Sequence, residues 1–104
     1  KVCILSNGYM GMIRQWQELF YRKRYSYSHL RNPDYAEFAR AVGAAGLTVR
    51  SRDEVGPALE RMLREDRPCV VDFHVDATEN VVPMVPAGKS LDEMEGLDLL
   101  QNAM

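Results

Sequence analysis

Short apolar runs and helical apolar stripes alternate along this chain. Val2–Leu5 is a continuous apolar run that ends in the turn signal Ser6-Asn7-Gly8, a pattern typical of a strand buried on both faces of a parallel sheet. A helix over about residues 10–21 is predicted next, because apolar side chains recur at the spacing of one helical face. These side chains are Met12, Ile13, Trp16, Leu19 and Phe20. Residues 22–31 show no period and predict a loop.

A second helix is predicted to begin at Asn32-Pro33-Asp34. This motif offers an N-cap residue, a proline at the first helical position and an acidic side chain in the first turn. The helix is expected to end at Gly43. Its apolar face is expected to contain Tyr35, Phe38, Ala39 and Val42.

Two further strands are predicted at residues 46–49 and 69–75, with a third helix between them. Ser51 and Glu54 match a capping box at the start of that helix. Its buried stripe is expected to contain Val55, Leu59, Met62 and Leu63. Gly56-Pro57 conflicts with a regular first turn, since proline removes a helical hydrogen bond. Either this turn is distorted or the helix begins nearer Asp53.

The chain loses its periodicity beyond Asp76. Residues 81–88 are apolar but rich in proline, which fits neither a helix nor a central strand. A short helix is predicted near residues 91–94. The order of elements predicts an α/β fold, specifically part of a doubly wound parallel sheet with flanking helices, three strands here, and an irregular C-terminal tail. Because three strands are few and the chain opens within one, we expect the C-terminal portion of a larger domain.

Composition and charge exclude several classes of protein. The 104 residues are 46% hydrophobic and 27% charged, which is ordinary for a globular domain. No apolar run approaches the roughly 20 residues of a membrane-spanning helix, and no secretory signal is visible. Residues 1–50 carry eight basic and three acidic side chains, a net of +5, and residues 51–104 carry five and twelve, a net of −7. We interpret Arg22-Lys23-Arg24 as a solvated loop, so no nucleic-acid partner is expected.

The two cysteines, Cys3 and Cys69, both lie in apolar runs, far apart and outside any metal-binding motif. We expect both to be small buried hydrophobic residues in a reducing, cytosol-like compartment. His29 and His74 are interpreted as structural, because neither has a cysteine, serine or carboxylate at a useful spacing. Asp72 and Asp76 are expected to be exposed or paired near the N-terminus.

Asn7-Gly8 is the strongest candidate for a binding site. It follows a strand end, and open α/β sheets bind ligands at the carboxyl ends of their strands. An asparagine oxygen and nearby backbone carbonyls are ligands that magnesium prefers, often together with a phosphorylated molecule. The alternative is a plain turn. Met10, Met12, Ile13 and Trp16 either border such a ligand or form a core stripe, and the residues alone decide neither question.

Several collinear stretches resemble the catalytic subunit of acetolactate synthase (acetohydroxyacid synthase). They are Ile4–Tyr21, Arg24–Ser26, Asn32–Tyr35, Pro83–Gly88 and Leu91–Met94. The run Met-Gly-Met-Ile-Arg-Gln-Trp-Gln, at residues 10–17, is distinctive of that family. Thiamine diphosphate enzymes in general share only the strand followed by asparagine.

The resemblance implies a thiamine diphosphate-dependent condensation of two 2-ketoacids, with loss of carbon dioxide, in branched-chain amino acid synthesis. The implied cofactors are thiamine diphosphate, Mg²⁺ and FAD, with FAD bound outside this segment. Residues 1–80 would be the C-terminal portion of the thiamine diphosphate-binding (pyrophosphate) domain, and residues 81–104 a tail that closes over the active-site channel. The isolated chain is expected to be inactive. The alternatives are a non-catalytic binding or assembly module, and a sibling enzyme such as glyoxylate carboligase or pyruvate oxidase.

The resemblance also assigns residues. Asn7 matches a magnesium ligand and Tyr9 supplies a ligating carbonyl, whereas Ser6 departs from the usual asparagine. The cofactor-binding residues are expected to be Asn7, Gly8, Tyr9, Met10, Gly11, Met12 and Ile13. The channel for substrate and inhibitor is expected to be lined by Met12, Ile13, Trp16 and Ala87. No catalytic residue is predicted here, because the Gly-Asp-Gly motif and the activating glutamate are absent from this chain.

The partners that the resemblance implies are the remainder of the catalytic subunit, a second catalytic subunit and, as a further candidate, a regulatory small subunit. The expected substrates are 2-ketoacids. The expected location is the cytoplasm, or the plastid if the source is a plant.

Overall fold

Three parallel strands form the centre of the fold in the computed structural model, which describes residues 1–96. The strand order is β1-β3-β2, and both pairings are parallel. The elements are β1 (Val2–Ser6), α1 (Gly11–Phe20), α2 (Tyr35–Ala41), β2 (Ala45–Val49), α3 (Val55–Arg64) and β3 (Cys69–His74). The predicted α/β class with three parallel strands is therefore confirmed.

The core lies between the sheet and α3. Alternate residues of β2 and β3 face the buried Met62 of α3; they are Ala45, Val49, Cys69, Val71 and Phe73. Helix α2 also packs against β2 and β3. A Cβ on Gly46 of β2 would lie 2.1 Å from the Ala36 carbonyl oxygen of α2, so only glycine permits this backbone approach.

The predicted apolar face of α2 is partly wrong. Ala39 is buried as expected, but Phe38 and Val42 are 62% and 67% exposed. The close approach of α2 to the sheet selects small residues for the contact, so Ala36 and Ala39 occupy it. The helix also begins later than predicted, because Asp34 rather than Asn32 is the N-cap. The Asp34 carboxylate accepts a hydrogen bond from the Glu37 N–H at 2.8 Å.

The capping box of Ser51 and Glu54 is confirmed. It encloses a 3-10 turn over Arg52–Glu54, after which α3 begins at Val55. Pro57 therefore lies in the first α-helical turn, where its backbone nitrogen would have no helical partner. Of the two alternatives at Gly56-Pro57, the structure therefore shows the irregular start: the 3-10 turn over Arg52–Glu54 precedes the regular helix.

Strand β1 is an edge strand with an exposed surface. Val2 and Leu5 are 52% and 71% exposed, and Cys3 is exposed as well. The prediction of a strand buried on both faces, with a buried Cys3, is wrong for this strand. Within residues 1–96, β1 pairs only with β3, so its other edge has no neighbour. Cys69, on the central strand, is buried as predicted.

Helix α1 turns its apolar stripe outward and its polar side inward. The apolar residues of the stripe are 42% to 48% exposed, whereas Arg14 and Gln15 are 6% and 1% exposed. Of the two alternatives left open for this stripe, the structure therefore does not support packing in the core of residues 1–96. Periodicity identifies the helix, which spans Gly11–Phe20, but not the side that it buries. The buried polar side chains contact the segment around Asn80 and Val81.

The tail is irregular, as predicted. Met84 and Glu95 form an isolated antiparallel bridge, and the short helix expected near residues 91–94 is a 3-10 turn over Leu91–Glu93. Residues 97–104 of the predicted tail lie outside the described residues. None of the helices within residues 1–96 has the length and apolar character needed to cross a membrane.

The open edge of β1 generates the first testable prediction. We expect the 104-residue chain to self-associate in sedimentation velocity experiments, because an unpaired strand edge pairs readily with another chain. Leu5→Lys should raise the dissociation constant by about tenfold to a hundredfold, since burying a leucine contributes about 1.5–3 kcal/mol. Leu91→Lys, at a leucine of similar exposure in the tail, should leave it unchanged. A monomer at high concentration would contradict the prediction.

Candidate functional site

A polar cleft lies at the carboxyl ends of the three strands. Its volume is about 460 Å³. Ser6 ends β1, Arg50 follows β2 and His74 ends β3, and all three line the cleft together with Asn7 and Asn32. This is the edge at which open parallel sheets bind ligands.

Asn7 forms a turn at the end of β1. Its side-chain oxygen Oδ1 accepts a hydrogen bond from the Tyr9 N–H at 3.0 Å, and Gly8 has a φ of +72°. A Cβ on Gly11 would lie 3.1 Å from Asn7 Nδ2, so the glycine leaves room for the amide. Because an amide oxygen has two lone pairs, this turn orients Oδ1 and still leaves it able to accept a second interaction.

The segment after Asn7 is held by the loop that contains His29. The Met10 N–H donates to the Ser28 carbonyl, the Leu30 N–H donates to the Gly8 carbonyl, and both bonds are 2.8 Å long. The rings of Tyr9 and His29 pack edge to face at 5.2 Å, in keeping with the structural role predicted for His29. Within residues 1–96, no donor reaches the Tyr9 carbonyl oxygen.

Asn7 Oδ1 and the Tyr9 carbonyl suit a magnesium ion, but only as part of its coordination shell. Both are hard oxygen donors, and magnesium requires about six oxygens in a near-octahedral arrangement. In the part of the chain that the structure describes, no three His, Cys, Asp or Glu side chains cluster into a metal site. Residues 1–96 thus offer two donors here, and phosphate oxygens, water or other protein groups would have to supply the rest.

A hydrogen-bonded network that the sequence did not predict joins the strand ends. Asp72 is 4% exposed and accepts a hydrogen bond from Ser6 Oγ. His74 Nε2 lies 3.3 Å from Asp72 Oδ2, and Arg50 Nη1 lies 3.4 Å from His74 Nδ1. The prediction of an exposed or N-terminally paired Asp72 is wrong, and so is that of a His74 without a carboxylate partner. The sequence did contain one signal of this contact. Asp72 and His74 are two positions apart, which places both side chains on the same face of a strand.

Asp76, in contrast, is exposed as expected. Its carboxylate accepts hydrogen bonds from the backbone N–H and the hydroxyl of Thr78, both at 2.6 Å. These bonds hold the pKa of Asp76 below its usual value. They also fold the chain into a tight turn where the tail begins.

Arg14 and Gln15 are buried polar residues beside the site that sequence reasoning missed. The guanidinium of Arg14 lies 5.7 Å and 5.4 Å from the ring centroids of Tyr9 and Tyr25, within the range of cation–π attraction. It also pairs with Glu18 at 2.9 Å. Partial desolvation and the nearby Glu18 carboxylate raise the pKa of the Tyr25 phenol. No signal in the sequence distinguished these buried polar residues from a solvated helix face.

The predicted channel residues fall into two groups. Met12, Ile13 and Trp16 lie on the exposed face of α1, shortly after Asn7, and are 46%, 42% and 48% exposed. Met10 precedes the helix and is also exposed. Ala87 is exposed in the tail, within the loop that the bridge between Met84 and Glu95 closes.

Comparison with known proteins identifies the family to which this chain is similar. Residues 1–73 match the family model described as "Thiamine pyrophosphate enzyme, C-terminal TPP binding domain". The chain is 40% identical, over 94% of its length, to the mitochondrial acetolactate synthase catalytic subunit of Saccharomyces cerevisiae. It is 43% identical over 93% of its length to the acetolactate synthase large subunit of Parasynechococcus marenigrum, and 43% identical over 90% to the isozyme 2 large subunit of Escherichia coli. The chain spans only 14%, 16% and 17% of these three relatives.

Proposed function

Because this chain belongs to the thiamine pyrophosphate enzymes, through their C-terminal TPP-binding domain, we propose that it is a segment of an acetolactate synthase catalytic subunit. The observation that carries this proposal is the similarity to such subunits over at least 90% of the chain, which includes the tail beyond the family match. The proposed reaction joins two 2-ketoacids with loss of carbon dioxide. Thiamine diphosphate supplies the nucleophilic carbon and the electron sink for this chemistry.

We assign Asn7 and Tyr9 to the magnesium ion that anchors the cofactor's phosphates. The Asn7 turn, the free Tyr9 carbonyl and the room beside Gly11 support this assignment. Gly8, with its positive φ, turns the backbone between the two donors. In this assignment, the turn from Asn7 to Tyr9 holds the metal ion at the cofactor and supplies no group for proton transfer.

We assign the exposed face of α1 to the cofactor and to the substrate channel. Met10, Gly11, Met12 and Ile13 would border the cofactor, and Met12, Ile13 and Trp16 would form one wall of the channel. A set of half-exposed apolar side chains directly after the Asn7 turn supports this role. Such a wall excludes water and selects between acceptor 2-ketoacids by shape.

In this proposal residues 1–80 complete the thiamine diphosphate domain and residues 81–104 form the tail, where Ala87 closes the channel. The exposed edge of β1 and the apolar face of α1 are covered by the remainder of the catalytic subunit and by a second catalytic subunit. A regulatory small subunit is a further proposed partner, and FAD binds outside this segment. We place the protein in the cytoplasm, or in the plastid of a plant. Two yeast relatives are named as mitochondrial, which makes an organellar location the alternative.

Sequencing the gene upstream of Lys1 and expressing the full reading frame tests the proposal. We expect a Gly-Asp-Gly motif ahead of Asn7, and formation of acetolactate from pyruvate that requires thiamine diphosphate and Mg²⁺. A reading frame without that motif would favour the non-catalytic module. A different product from pyruvate or glyoxylate would favour a sibling enzyme of the same family.

Asn7→Ala in the full-length protein tests the metal assignment. We expect the affinity for magnesium and cofactor to fall by about tenfold to a hundredfold, because an oxygen that contacts a charged group contributes about 1.5–3 kcal/mol. Loss of the turn should cost about 1 kcal/mol of folding stability. Calorimetric titration and thermal unfolding separate the two effects. Asn32→Ala, in the same cleft, is the control, and an unchanged cofactor requirement in Asn7→Ala would leave Asn7 a plain turn.

Trp16→Leu tests the channel assignment. Since Trp16 is 48% exposed, we expect near-normal stability and a change in the choice between 2-ketobutyrate and pyruvate as acceptor. The change should reach roughly 10–200-fold at most, the range that one methylene decides in an apolar pocket. Competition kinetics and thermal melting measure both quantities, with Phe38→Leu as the control. A loss of about 1–3 kcal/mol in stability with an unchanged product ratio would instead place Trp16 in a core.

A further inference from the structure

Gln15 joins α1 to the tail by a paired amide contact. Its Nε2 donates to the Val81 carbonyl at 2.9 Å, and its Oε1 accepts from the Val81 N–H at 2.7 Å. The same Nε2 lies 3.0 Å from the Met84 sulfur. Gln15 is only 1% exposed, so water cannot replace these partners without opening the contact between α1 and the tail.

The tail beyond Val81 is a loop closed at its base. Met84 and Glu95 exchange two backbone hydrogen bonds of 3.0 Å and 2.9 Å. A Cβ on Gly96 would lie 2.7 Å from Val82 Cγ1, so the two ends of the loop are in close contact. Residues 85–94, which include Ala87, therefore project from a base that Gln15 holds through Val81 and Met84.

Gln15 also immediately precedes Trp16. Successive helical residues lie about 100° apart around the helix axis, so the tail is attached at the border of the exposed apolar face. A cavity of about 420 Å³ runs along this border, lined by Leu19, Asn80, Val82 and Met84 among others. A shift of the tail base would therefore move the loop relative to the apolar face of α1.

We propose that Gln15 is a positioning residue that sets where the 85–94 loop lies relative to Trp16, and thereby sets acceptor selectivity. This inference rests on the proposed acetolactate synthase function. Gln15 contacts no reacting group and acts only through Val81 and Met84. The amide makes both bonds to the backbone of one residue, Val81, as a neighbouring strand would, so it holds the position and the direction of the tail base together.

The chain contains a matched control for this contact. Gln17, on the same helix, makes the same paired contact with the backbone of Ser26, with bonds of 2.8 Å and 3.3 Å. Ser26 belongs to the loop after α1 rather than to the tail. Gln17→Met therefore removes the same kind of contact from α1 without releasing the 85–94 loop.

The experiment compares Gln15→Met with Gln17→Met in the full-length protein. In Gln15→Met we expect amide hydrogen exchange at Met84 and Glu95 to accelerate about tenfold or more, because their bridge loses its anchor. We expect kcat with saturating pyruvate to stay within about threefold while the KM of a second 2-ketoacid rises roughly tenfold. Gln17→Met should change neither quantity.

Gln15→Glu provides a second variant of nearly the same shape. Its carboxylate keeps an acceptor for the Val81 N–H but presents an oxygen instead of a donor to the Val81 carbonyl. We expect changes of the same direction and at least the same size, because a buried carboxylate that faces the Val81 carbonyl oxygen is desolvated and repelled. If Gln15→Met does not fold, Gln15→Asn, which keeps the amide but is one methylene shorter, serves in its place. The positioning role would be overturned if the amides of Met84 and Glu95 exchanged no faster in these variants than in the unmodified protein, or if the KM for the second acceptor stayed unchanged. No acetolactate from the unmodified protein would instead overturn the proposed function.

Discussion

The paired amide contact between Gln15 and Val81 determines how α1 is oriented, and much of the molecule follows from that orientation. Gln15 is almost completely buried, and a buried amide without partners costs several kcal/mol. Rotating α1 to bury Trp16 would break both bonds to Val81 and detach the tail from the helix. The helix therefore keeps its polar side inward, supported by Arg14 between two tyrosine rings.

The consequence is an apolar surface that begins beside the Asn7 turn. Met12, Ile13 and Trp16 face outward, while Asn7 Oδ1 and the Tyr9 carbonyl lie directly before them in the chain. Hard oxygen donors and an apolar wall thus stand next to each other, which is what a cofactor with a charged diphosphate and a reactive ring requires. In the proposed enzyme, the remaining ligands and the opposite wall come from other parts of the protein.

The strands and helices were largely predictable because their signals are local. Apolar runs mark β1 and β3, and the Ser51 and Glu54 capping box marks the start of the third helical region. Burial was less predictable, since it depends on what each face meets. Leu5 is exposed because β1 has no second neighbour among residues 1–96. Phe38 is exposed because α2 approaches the sheet too closely for a large side chain.

The candidate site was likewise predictable only in part. The Asn7 turn follows from its local sequence motif. The link from Ser6 through Asp72 to His74 depends on the register of two strands, which no local motif encodes.

Quenching of Trp16 fluorescence tests the orientation of α1 most directly, because Trp16 is the single tryptophan of the 104-residue chain. The measurement uses iodide or acrylamide, at concentrations below those at which the chain associates. An indole that is 48% exposed should be readily quenched, and Gln17→Met should leave that accessibility unchanged. A Trp16 that is shielded from both quenchers in the folded monomer would mean that α1 buries its apolar face, and would contradict the account.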